Sequence, residues 1–122
     1  MASTKALGDE AEHAALRHLA DRGLELVARN FRCRCGEIDL VMRDGATHVF
    51  VEVRYRSGSR FGSAAETVDR RKQQRVITAA QLFLQRHPRV ALGPCRFDVV
   101  ALRPATDGGW HIEWIQNAFE LV

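Results

Sequence analysis

Acids and a base are set into otherwise apolar strands in GEIDLVMRDGATHVFVEVRYR, residues 36–56. Glu37, Asp39 and Glu52 lie among Ile38, Leu40, Val41, Val51 and Val53, and Arg54 follows Glu52 by two places. An acid, a gap and then Glu-x-basic is a pattern that can hold Mg2+ or Mn2+ through carboxylate oxygens. The cation would bind a phosphodiester and activate water, and the basic side chain would meet the developing charge. The competing explanation is a solvated sheet face on which Arg54 and a neighbouring arginine neutralise the acids as a ladder of ion pairs. Arginine keeps its charge and grips a phosphate with two bonds, but it transfers protons poorly. Cleavage with a metal-supplied hydroxide and binding without cleavage therefore both stay open.

Strand geometry sharpens the choice. Side chains alternate along a strand, so Glu37, Asp39 and Val41 share one face, and Phe50, Glu52 and Arg54 share a face of the next strand. A two-residue loop Gly45-Ala46 or a four-residue loop from Asp44 to Thr47 sets Asp39 opposite Glu52 and Glu37 opposite Arg54. Asp39 and Glu52 are then expected on the same sheet face. Like charges so placed repel, by a few tenths to about 1 kcal/mol when exposed. Glu12 falls inside the apolar arc of an N-terminal helix formed by Leu7, Ala11, Ala14, Ala15, Leu16 and Leu19. An unpaired carboxylate there is costly, so Glu12 is expected to face the same site.

Basic residues flank these acids. DRRKQQR places Arg70, Arg71 and Lys72 at the start of a second helix, with Lys72 and Gln73 on its apolar stripe and so turned toward the sheet. RYRSGSRFG adds Arg56 and Arg60 on a Gly/Ser-rich loop suited to phosphate contacts. For the helix run, a solvated face is the plainer alternative. Cys33-x-Cys35 has strand spacing and no second pair, so thiols rather than a zinc site are expected. The five histidines are scattered, and Trp110 and Trp114 share a strand face as core or interface residues.

These side chains need elements to position them. At 122 residues the chain, 1–122, reads as one domain with a real core. Its net charge of +3 permits a polyanionic partner without requiring one. No apolar run approaches the roughly 20 residues of a membrane span, and MASTKALGDEAE lacks a signal-peptide core. With three cysteines and no disulfide framework, a reduced, cytoplasmic protein is expected. Leu7 to Arg22 reads as a helix closed by Gly23, and LELVARNFRCR as a strand before the hairpin. Asp69 is a candidate cap for a helix running to His87, with Pro88 beyond. CRFDVVALRP and WHIEWIQNAF read as strands separated by Asp107, Gly108 and Gly109. The order α-β-β-β-α-β-β fits an α/β sandwich around a mixed five-stranded sheet with flanking helices.

LGDEAEHAALRHL, RNFRCRCGEIDL, VFVEVRYR, RFGSAAETV, RKQQR, CRFDVVAL and IQNAF together resemble the YraN family. These are small bacterial proteins related in fold to Holliday junction resolvases and restriction endonucleases. The resemblance implies a restriction-endonuclease-like core of the PD-(D/E)xK type acting on DNA, branched DNA included. Asp39 and Glu52 would be metal ligands, Arg54 would stand where that pattern has lysine, and Glu12 would match the helical glutamate of resolvase-like members. Glu37 would complete the metal shell. Resolvases cut two strands symmetrically, so a homodimer is implied by analogy. The alternative is a nucleic-acid-binding module of the same fold that does not cut.

Overall fold

The computed structural model describes residues 4–56 and 68–120. Helix α1 spans Thr4–Asp21, starting three residues before Leu7, and stops at Gly23, whose φ of +95° is easy only for glycine. The Gly23 and Leu24 amides donate back to the carbonyls of Ala20 and Leu19, closing the helix end. Three strands follow: β1 (Glu25–Cys33), β2 (Gly36–Asp44) and β3 (Thr47–Tyr55). Asp44 pairs with Thr47 across Gly45-Ala46, and Gly45 has φ +61°, so the short loop fixes an in-register hairpin.

Helix α2 (Arg70–Arg86) opens where the Asp69 carboxylate accepts the Lys72 amide at 2.9 Å. Pro88 does more than end it. Already fixed in φ and lacking an N–H, it begins a short helix, α3 (Pro88–Ala91). Strands β4 (Cys95–Pro104) and β5 (Trp110–Phe119) complete the chain. The sheet order is β1-β2-β3-β4-β5, antiparallel except between β3 and β4. That parallel pair needs a crossover, and α2 with α3 lies within it.

The sheet is covered on both faces, which makes this the expected α/β sandwich. On one face Ala11, Ala15 and Leu19 of α1 pack against Leu40, Met42, Val49, Val51, Val100 and Leu102. On the other, Val76, Ala80 and Phe83 of α2 pack against Ile38, Val41, Phe50, Phe97 and Val99. Each large side chain buried in this way stabilises by about 1.5–3 kcal/mol. At Gly36 the backbone of α2 comes so close that an added Cβ would lie 2.0 Å from the Arg75 carbonyl oxygen. Buried Asp98 accepts hydrogen bonds from Arg96, from the Trp114 indole and from the Asn117 amide, fastening β5 to β4. No helix among the described residues is long and apolar enough to cross a membrane.

Candidate functional site

The site grows from a break in strand alternation. On β2, Ile38 packs with the α2-side cluster, whereas Leu40 packs with the α1-side cluster. Neighbours two apart should share a face, so the strand turns over between them. Asp39 sits at that turn. The same break occurs on β1 at the facing position, as the pairs Arg29↔Leu40 and Phe31↔Ile38 require. There Asn30 takes a φ of +51°, a conformation that asparagine tolerates better than most residues. As a result both Arg29 and Asn30 reach the α1 face, where each donates to Glu12 Oε1 at 3.1 Å.

Glu12, Glu37 and Asp39 line one cleft of about 290 Å3, together with Asn30, Arg32, Val53 and Tyr55. Glu12 thus approaches Asp39 from α1, as its place on the helix predicts. Glu37 pairs with Arg32 of β1 at 3.4 Å, not with Arg54. The β2–β3 ladder stops at Leu40↔Val51, and the Asp39 carboxylate accepts the Val53 amide at 2.8 Å beyond it. Asp39 therefore occupies the gap between the two strands.

Glu52 corrects the expectation of a shared face. It follows Phe50 to the α2 side of the sheet, where Lys72 Nζ lies 3.1 Å from its Oε1. The reason is the turnover at Asp39: uniform alternation would have carried both acids to one face, and the break sends Asp39 toward α1. The two remain close enough to interact. Burial pushes Asp39 from an ordinary 3.8 up to about 7, the negative charge of Glu52 adds to this, and the Val53 hydrogen bond opposes it. Glu52 is also raised, by burial first, although Lys72 and Arg54 pull it down. Among the described residues its buried Oε2 has no hydrogen-bond partner, and neither has Arg54 Nε.

This donor set suits a hard divalent cation in its chemistry, since every ligand would be a carboxylate oxygen and one Glu52 oxygen lacks a partner among the described residues. In geometry it is held apart. Among the described residues no three His, Cys, Asp or Glu side chains are grouped closely enough to hold a metal ion. Glu12 is engaged by Arg29 and Asn30, and Glu52 by Lys72.

The basic residues divide. Lys72 reaches Glu52, turned toward the sheet as its stripe position predicts. Gln73 instead donates to the Val68 carbonyl at 2.9 Å, tying down the entry to α2. Arg70 and Arg71 are exposed on the first turn of α2. Arg56 lines a separate hollow with Arg103, His111 and Glu113. Arg60 lies outside the described residues. Asn30 and Arg29, which hold Glu12, escaped the sequence reading. The available signal was an asparagine set inside a strand of β-formers, where a left-handed residue is one reason for the choice.

A family model described as "Uncharacterised protein family UPF0102" matches residues 11–102. The chain belongs to that family. Its resemblance to YraN proteins points to the same group. A UPF0102 protein of Stutzerimonas stutzeri (strain A1501) is 57% identical over 120 residues, 98% of this chain and 99% of that protein. A UPF0102 protein of Pseudomonas entomophila (strain L48) is 55% identical over 119 residues, 98% of this chain and 97% of that protein. The residues matched to the UPF0102 model include Glu12, Asn30, Asp39, Glu52 and Lys72.

Proposed function

We propose that this UPF0102 protein is a divalent-metal-dependent DNA endonuclease whose centre is the gap between β2 and β3. The observation that carries this reading is half-buried Asp39 beside buried Glu52. Both carboxyls are raised by desolvation, Asp39 further by the charge of Glu52, and one oxygen of Glu52 has no partner among the described residues. An undercompensated acid pair of this kind is a place where a cation gains free energy by binding.

Asp39 and Glu52 would hold Mg2+ or Mn2+, with Glu12 and Glu37 completing its surroundings. Such an ion supplies a Lewis acid for the phosphate and a water of lowered pKa. The chain supplies the rest. The Val53 amide orients Asp39, and Arg29 with Asn30 orient Glu12. Arg54 and Lys72 offer positive charge to a phosphate, and Arg70 and Arg71 extend that charge along the first turn of α2. Branched DNA cut by a homodimer is the substrate and assembly that the resolvase-like resemblance favours.

A second reading rests on Lys72. Its ammonium already answers Glu52, so the acids and bases could form a structural network in a protein that binds nucleic acid without cutting it. Thermal melts separate the two. Under the nuclease reading, millimolar Mn2+ raises the melting temperature relative to EDTA, because a ligand that binds the folded state stabilises it. Glu52→Gln removes that rise, and Mn2+-dependent cleavage of branched over linear DNA accompanies it in the wild type. A wild type indifferent to Mn2+, with salt-sensitive DNA affinity untouched by chelator, would establish the binding module instead.

A further inference from the structure

The turn between β1 and β2 holds a second chemistry. Cys33 ends β1 and pairs with Gly36, so Arg34 and Cys35 form the turn. The two sulfurs lie 3.4 Å apart, and Cys33 Sγ also lies 3.4 Å from the Gly36 carbonyl oxygen. Cys33 is partly exposed, Cys35 is exposed, and both thiols are free. We propose that Cys33 and Cys35 form a thiol–disulfide exchange site that reacts with low-molecular-weight disulfides.

The geometry permits closure. A disulfide bond is about 2.05 Å long, so closure asks the sulfurs to approach by little more than 1 Å within one turn. Arg86 and Arg75 lie near enough to act on Cys33 and Cys35, while Arg32 beside the turn is paired with Glu37 at 3.4 Å. Either sulfur can attack first, because the other lies 3.4 Å away to resolve the mixed disulfide. The guanidinium groups also favour a disulfide that carries carboxylates.

The steps balance. One thiol of the turn, as its thiolate, attacks one sulfur of the disulfide RSSR, forming a mixed disulfide and releasing RS−. The other thiol then gives up its proton and attacks the protein sulfur of that mixed disulfide, forming the Cys33–Cys35 bond and releasing a second RS−. Two protein thiols are oxidised, and one small disulfide is reduced to two RSH. Cys95 takes no part. It pairs with His48 beside the β2–β3 loop, at the opposite end of β2 from Gly36.

The test uses the full chain and oxidised glutathione, followed by alkylation, intact mass and peptide mapping. The wild type should lose two hydrogens and keep one alkylatable cysteine, Cys95, with the new link mapping to Cys33–Cys35. Cys95→Ser should react in the same way and keep none. Cys35→Ser should stall as a glutathione adduct on Cys33. Three alkylatable cysteines after treatment, a link through Cys95, or stable glutathione adducts on the wild-type turn would each overturn the proposal. None of these readouts depends on metal or DNA, so the result stands apart from the nuclease reading.

Discussion

Replacing Asp39 with Asn removes one charge from the strand gap and keeps an oxygen to accept the Val53 amide. The wild-type carboxyl titrates near 7 in the folded chain and near 3.8 when free of its surroundings. Between those values the native state holds a proton that the unfolded state has released. Wild-type stability therefore falls as pH rises from about 4 to about 7, and this contribution is level above. At 1.36 kcal/mol per pH unit, the raised carboxyl costs about 4 kcal/mol above pH 7. That is a large share of the roughly 5–15 kcal/mol that holds a typical domain folded. Asp39→Asn should match the wild type near pH 4 and exceed it by up to about 4 kcal/mol at pH 8. Urea unfolding at a series of pH values reads this directly. With a slope of about 1.5 kcal/mol per molar, the midpoint would move by roughly 2–3 M. His18 and His48 are both held below the ordinary histidine value, chiefly by burial, and they cancel in the comparison. A difference that does not change with pH, or a wild type more stable than the variant at pH 8, would refute the account of the acid pair.

Glu52→Gln should lower the midpoint of Asp39, because the charge of Glu52 is the largest electrostatic contribution to its rise; carboxyl carbon shifts followed by NMR across pH would show it. Gly36→Ala should destabilise by about 2–4 kcal/mol, since its methyl would meet the Arg75 carbonyl and α2 would have to move; urea midpoints measure the loss. Replacing Arg70 and Arg71 together with Ala should flatten the dependence of DNA affinity on salt by about two phosphate contacts while leaving the fold intact. Fluorescence anisotropy at several salt concentrations measures that slope, and an unchanged slope would make this helix end a solvated face.

The sequence carried the architecture where local chemistry decides it. The ends of β4 and β5 follow from their turn residues, the start of α2 from Asp69, and the hairpin register from Gly45-Ala46. The inward turn of Glu12 and of Lys72 was legible from helical spacing, because a helix keeps its period through the site. A strand does not. The rule that puts Asp39 beside Glu52 assumes unbroken alternation, and the turnover opposite Asn30 is a backbone event with no residue type reserved for it. The partner of Glu37 failed for a related reason. Hairpin register set it opposite Arg54, and the β1–β2 pairing brings Arg32 to it instead.

The single parallel pairing in the sheet gives the site a history as well as a shape. Strands β1, β2 and β3 meet through short loops, so Asn30, Asp39 and Glu52 can be brought together soon after residue 55 has been made. The first parallel pair, His48↔Cys95, joins positions 47 residues apart and must wait for the whole crossover. Loop closure over that distance is entropically slower than hairpin formation. Lys72 belongs to the late segment. During folding Glu52 therefore meets Asp39 with only Arg54 to offset its charge, until α2 docks and brings Lys72. The docking of α2 is then favoured by electrostatics as well as by its apolar stripe, and lower salt should speed that step.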